Sequence, residues 1–170
     1  MFTGWLVRAN GVLDLIEAYK HSDILRNCHL ILAGDGDLMN ELKNNIEKNR
    51  LHNISLLGWC KSEKIDELLL SSDVFVLPTY SEGFPNSILE ALAKGLPIIS
   101  TPVGGIPDSV IDGLNGFLIK SGDVSELKNK MEWCVNNRDL LNNYSKNSIR
   151  IAQMNHDFQT NCGKIFDLLR

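Results

Sequence analysis

Apolar positions along the chain switch repeatedly between two spacings. Short runs that are apolar on both sides read as buried strands, and runs with apolar residues every three or four positions read as helices. Residues 2–7 read as a first strand that runs into a loop, and Val12, Leu13, Leu15, Ile16 and Tyr19 follow at helical spacing. Residues 28–33 predict a second strand, and Gly34-Asp35-Gly36-Asp37 a turn that caps a helix reaching about Asn49. A third strand covers residues 54–57 and ends at Gly58-Trp59; the helix after it, residues 61–71, turns Ile65, Leu68 and Leu69 inward. A fourth strand covers residues 73–78, and a helix over residues 88–95 stops at Gly95. Residues 96–100 and 116–119 read as the last two strands. Residues 123–136, 138–154 and 157–169 read as helices, the last with Phe158, Cys162, Ile165, Phe166 and Leu169 on one face.

This alternation predicts parallel βαβ units with right-handed crossovers. The fold class is α/β: a Rossmann-like three-layer domain with a six-stranded parallel sheet. Leu30, Ile31, Leu32, Val74, Phe75, Val76, Ile98 and Ile99 are expected in its core, because strands covered on both faces are apolar throughout. No repeat, low-complexity segment or linker interrupts the pattern, and 170 residues suit one domain over residues 1–170.

Composition narrows the function classes. The hydrophobic fraction of 44% and charged fraction of 22% are those of an ordinary globular protein. A net charge of -4 without a basic block argues against nucleic acid. No apolar run is long enough to cross a bilayer, and no basic and apolar leader pattern stands at the start, so no secretory signal is expected. Cys28, Cys60, Cys134 and Cys162 are scattered and fit neither a zinc pattern nor a disulfide scaffold; reduced thiols in a cytoplasm are the simplest account. The histidines lack ligand spacing and no Asp-x-Asp signature stands out, so no metal is expected.

The candidate chemistry lies between the fourth and fifth strands. Glu82 follows the fourth strand, and Glu90 lies about one turn into the next helix. Open parallel sheets bind ligands at the carboxyl ends of their strands, beside helix N-termini that favour anions. A lone glutamate on a helix is more often a solvated surface residue. Here the seven residues between Glu82 and Glu90 begin with Gly83-Phe84-Pro85-Asn86. Further on stand Gly95-Leu96-Pro97, Val103-Gly104-Gly105-Ile106-Pro107 and Asp112-Gly113-Leu114-Asn115-Gly116.

This stretch resembles the retaining, nucleotide-sugar-dependent glycosyltransferases of the GT-B fold, in particular family four with its Glu-x7-Glu motif. The resemblance implies that the chain is the C-terminal, donor-binding half of a GT-B fold. The N-terminal acceptor-binding domain would then be missing, so the chain is expected to be a truncated form or half of a split enzyme. It also implies a nucleotide-diphosphate sugar as donor, no cofactor and no essential metal. Any membrane contact, peripheral at the inner face, would come only through the missing half.

The roles implied are specific. Glu90 would accept hydroxyl hydrogen bonds from the ribose, as a carboxylate does well. Glu82 is the catalytic candidate, holding donor-sugar hydroxyls and favouring an oxocarbenium-like transition state. A front-face displacement is preferred, and a covalent glutamate is left open. Gly83, Phe84, Pro85, Asn86, Ser87 and Ile88 form the helix entrance. The N–H groups of Asn86, Ser87 and Ile88 are expected to face the distal phosphate, while Pro85 only shapes the turn. Gly104 and Gly105 either permit close backbone approach or form a plain turn. Gly58, Trp59 and Cys60 end the third strand, where the family binds the base largely through backbone; Trp59 either stacks on it or packs inward. Gly34-Asp35-Gly36 is read as a tight turn, because Met39 replaces the third glycine of the dinucleotide fingerprint.

One departure matters. The family usually carries Gly-Arg after its first strand and Lys-Gly at the next helix. Here Gly4-Trp5 and Asn10-Gly11 stand there, so both cations expected at the diphosphate are absent. Arg8 and Lys61 are the candidate substitutes. A non-catalytic nucleotide-sugar-binding or scaffolding module is the alternative function, and a nucleotide-sugar epimerase a more distant one.

Overall fold

The computed structural model describes residues 1–156, and the helix expected over residues 157–169 lies outside them. Six strands are all parallel: β1 (Phe2–Thr3), β2 (Leu30–Ala33), β3 (Ile54–Gly58), β4 (Phe75–Leu77), β5 (Ile98–Ser100) and β6 (Gly116–Leu118). They are connected by α1 (Val12–Lys20), α2 (Met39–Lys48), α3 (Ser62–Leu70), α4 (Asn86–Ala93), α5 (Val124–Asn136) and α6 (Arg138–His156).

The expected single sheet is divided by a seam. β1-β2-β3 and β4-β5-β6 form two three-stranded sheets. Met1 bridges them: its amine donates to the Val74 carbonyl at 2.7 Å, and Val76 N–H donates to the Met1 carbonyl at 2.8 Å. The order across the seam is therefore 3-2-1-4-5-6, the doubly wound arrangement, with its switch point between β1 and β4.

Burial follows the pattern of the sequence. Leu30, Leu32, Phe75, Val76, Ile98 and Ile99 are buried. Val74 and Ile31 are only half-buried, because both line a cavity of ≈ 290 Å³ at the amino ends of the strands, with Met1, Tyr19 and Met131. On α4, Ile88, Ala91 and Leu92 face the core, and full burial of an isoleucine or leucine contributes roughly 1.5–3 kcal/mol. Asp123 caps α5 by accepting from Glu126 N–H at 2.8 Å.

The first strand runs into its loop early: it ends at Thr3, Gly4 keeps one bond to Ala33, and then the chain folds back, Val7 N–H meeting the Trp5 carbonyl at 3.0 Å. One local expectation is corrected. The turn after β2 does not cap α2 with a side chain. Asp35 accepts from the adjacent Gly36 N–H at 2.8 Å, so α2 starts uncapped at Leu38.

Candidate functional site

Loops from the carboxyl ends of the strands interlock into one rim. Leu6 N–H donates to the Asp35 carbonyl at 2.9 Å, and Gly34 N–H to the Gly58 carbonyl at 2.8 Å. These bonds join the ends of β1, β2 and β3. The Ala9 carbonyl accepts from Tyr80 N–H at 2.7 Å and from Thr79 Oγ1 at 2.9 Å, which extends the rim across the seam to β4. Gly105 N–H donates to the Gly83 carbonyl at 2.7 Å and adds the loop after β5. Tyr80 completes the brace: its hydroxyl donates to Asp14 on α1 at 2.6 Å.

Glu82 lies half-buried on this rim. Gly104 is seated against the carbonyl oxygens of Glu82 and Gly83 so closely that a Cβ would collide with both, and its φ of +55° is one that other residues rarely adopt. At Gly105 a Cβ would strike the Phe84 ring. The two glycines are the centre of a turn closed by Ile106 N–H and the Val103 carbonyl at 3.2 Å, and at Gly104 that turn also permits close approach of two backbones.

The helix entrance departs from expectation at one residue. Ile88 N–H is taken by the Pro85 carbonyl at 3.1 Å and is not free for a ligand. Pro85 is buried at the N-cap and offers no side-chain cap. The N–H groups of Asn86 and Ser87 therefore remain as donors at this end.

Glu90 is exposed on α4, one turn beyond those donors. Partial burial of its carboxyl raises its pKa above the ordinary carboxylate value; the charge of Asp66 adds to the rise, and Lys94 opposes it. Asp66 and Lys94 are paired with each other at 2.9 Å. Lys94 stands four residues after Glu90, a spacing visible in the sequence. Asp66 comes from α3, and only the fold brings it there.

At the far end of the rim Trp59 is 71% exposed, so it does not pack inward. Cys60 is half-buried, its Sγ 3.6 Å from the Gly58 carbonyl. Trp5 is 70% exposed. Asn10 is buried and donates to the Trp5 carbonyl at 2.9 Å, so it fixes the loop. Of the two candidate cations, Arg8 is paired with Glu41 on α2 at 3.2 Å, both largely exposed, an arrangement worth about 0–1 kcal/mol. Lys61 stands exposed at the start of α3. Among the described residues, no group of three or more His, Cys, Asp or Glu could hold a metal ion, and no helix is long and apolar enough to cross a membrane.

The sequence profile described as glycosyl transferases group 1 matches residues 1–151. The chain belongs to the glycosyl transferases group 1 family. Among curated relatives, it is 35% identical over 147 residues to an uncharacterized glycosyltransferase of Methanocaldococcus jannaschii, covering 86% of this chain and 41% of the relative. It is 37% identical over 140 residues to the UDP-Gal:alpha-D-GlcNAc-diphosphoundecaprenol alpha-1,3-galactosyltransferase of Escherichia coli, covering 79% of this chain and 35% of that enzyme. The chain thus spans less than half the length of these relatives.

Solved structures agree on the fold. HepE of Anabaena, crystallised in complex with UDP, superposes with a TM-score of 0.88 at 26% identity, over 99% of this chain and 48% of that one. The C-terminal domain of a glycosyl transferase group 1 protein of Francisella tularensis superposes with a TM-score of 0.81 at 20% identity, over 92% of this chain and 86% of that domain. The group 1 chain is therefore the Rossmann-like C-terminal half of a GT-B fold.

Proposed function

We propose that this domain binds a nucleoside-diphosphate sugar and, with an acceptor-binding half, transfers the sugar with retention of configuration. The observation that carries the reading is local. Gly104 clamps the backbone of Glu82 and Gly83, while Glu90 lies one turn into α4 after Asn86 and Ser87, whose N–H groups stand in the first turn of the helix. A nucleotide sugar presents a ribose diol, a diphosphate and a sugar. Glu90 accepts the diol hydroxyls, and the α4 entrance takes the distal phosphate. Glu82 accepts donor-sugar hydroxyls and stabilises positive charge at the reacting carbon. The end of β3 holds the base, through backbone and by stacking on Trp59. Uracil is the base proposed, supported by the likeness to HepE, which was crystallised with UDP.

In the proposed reaction the bond from the anomeric carbon to the leaving phosphate oxygen breaks. The acceptor hydroxyl attacks the same face, and its proton passes to that phosphate oxygen. No step uses a metal or a cofactor. Transfer needs two oriented reactants, so this domain by itself is expected to transfer no sugar; robust transfer by the isolated chain would contradict that.

Thermal denaturation tests the binding. A ligand held only by the native state at a hundred times its Kd stabilises it by about 2.7 kcal/mol. UDP and UDP-hexoses are expected to raise Tm and adenosine diphosphate to leave it unchanged; no shift with any nucleotide would oppose the reading. The non-catalytic alternative is favoured by a single observation, the lack of cations at Trp5 and Asn10. It predicts that nucleotide binds but that addition of an acceptor-binding half restores no transfer.

A further inference from the structure

Glu90 and Lys94 stand four residues apart on α4, glutamate first, which is the orientation that favours ion pairing on a helix. The structure does not use that pair. Lys94 Nζ instead meets Asp66 Oδ1 on α3 at 2.9 Å, with the lysine side chain 28% exposed and the aspartate 53%. We propose that Asp66 is a positioning residue: by holding Lys94 across the α3–α4 gap it keeps the ammonium off Glu90, so that the Glu90 carboxylate stays open to ligand hydroxyls. The proposal rests on Glu90 as the ribose ligand.

The surroundings leave few other controls on Glu90. From α3 the charge acting on it is that of Asp66, and from its own helix that of Lys94. Just past α4, α6 meets Gly95 through Ser145 and Ile149 and the Leu96 carbonyl through Ser148, none of them charged. Lys94 also terminates α4, where a cation is favoured by the helix dipole. Its charge thus stabilises the helix end while its ammonium is turned toward α3. A carboxylate already paired with an ammonium has fewer lone pairs for a ribose diol. Removal of the Asp66 charge releases Lys94 to make that competing pair.

The test compares Asp66→Asn, Asp66→Asn with Lys94→Gln, and Glu90→Gln with the wild-type domain. Two readouts are taken. The first, without ligand, is the Glu90 carboxyl titration followed by NMR. The second is the ratio of affinities for UDP and 2′,3′-dideoxy-UDP, which isolates the diol from any general change in anion binding. In Asp66→Asn the Glu90 pKa is expected to fall and the diol ratio to shrink by up to about twofold, the size of a helical ion pair. Both return toward wild type once Lys94 is also neutralised. A purely structural role for Asp66 would not produce that rescue. An unchanged Glu90 titration and diol ratio in Asp66→Asn, or no recovery in the double variant, would overturn the proposal. If Glu90→Gln leaves the diol ratio unchanged, the ribose assignment itself fails, and the Lys94 ammonium resonance, followed in the same ligand-free titration, still decides whether Asp66 holds Lys94: it should follow the Glu90 titration in Asp66→Asn and not in the wild type, and an equal response in both would overturn the proposal.

Discussion

The Cα of Gly104 lies directly against the backbone carbonyl of Glu82, with no room between them for a methyl group. The catalytic candidate is thus held by main chain from the loop after β5.

This contact sets the first prediction. Gly104→Ala is expected to push the Glu82 loop outward and to weaken binding of a UDP-sugar more than binding of UDP. Gly113 is the control: its φ is +73°, yet a Cβ there meets nothing within 4 Å. Gly113→Ala should cost about 1 kcal/mol of stability from backbone strain alone and leave ligand binding intact. Chemical denaturation with parallel titrations separates the two. Equal binding in both variants would show that the clamp does not position Glu82.

Glu90 couples binding to pH. Its carboxyl pKa is raised in the folded state, so the native chain holds that proton more tightly than the unfolded chain. Between the ordinary carboxylate value and the raised one, stability from this group therefore falls as pH rises. Ionised Glu90 costs stability at neutral pH, and Glu90→Gln should raise Tm there while weakening UDP binding. The Tm gain should vanish in acid, where wild-type Glu90 is protonated. Wild-type affinity for UDP should decline as pH falls through the raised range. A Tm difference independent of pH would argue against this linkage.

Trp5 and Asn10 separate once the fold is known. Trp5 is exposed and Asn10 is buried in a hydrogen bond to the Trp5 carbonyl. Trp5→Arg is therefore expected to leave Tm nearly unchanged and to tighten UDP binding about tenfold, the size of one charge-assisted contact. The gain should shrink with added salt. Asn10→Lys should destabilise the fold, because it buries a charge and removes the loop tie. Calorimetry at two ionic strengths, with melting curves, checks all three. An unchanged Kd in folded Trp5→Arg would point to Arg8 or Lys61 as the cation already in use.

The sequence carried the architecture well because helical and strand periods are local properties. The six strands, the helix after Glu82 and its stop near Gly95 all follow from them. The seam did not, since it depends on Met1 reaching β4 from a neighbouring strand. Glycine marked a backbone requirement at Gly104, with its φ of +55°, though the sequence left open whether a turn or a close approach set it. The site was not legible where a hydrogen bond decides availability: Ile88 N–H is taken by Pro85, and Asn10 is a loop tie. Asp66 and Tyr80 were invisible for the same reason, because their partners Lys94 and Asp14 lie on other elements.

The most direct measurement is calorimetric titration of the wild-type domain, Glu90→Ala and Glu82→Ala with UDP and with UDP-glucose. The account predicts that Glu90→Ala loses roughly 1.5–3 kcal/mol for both ligands, the range of a charge-assisted hydrogen bond. Glu82→Ala should bind UDP as the wild type does and lose affinity only for UDP-glucose. Equal losses for both ligands in both variants, or no binding of UDP to the wild-type domain, would contradict the division of the site into a ribose end at Glu90 and a sugar end at Glu82.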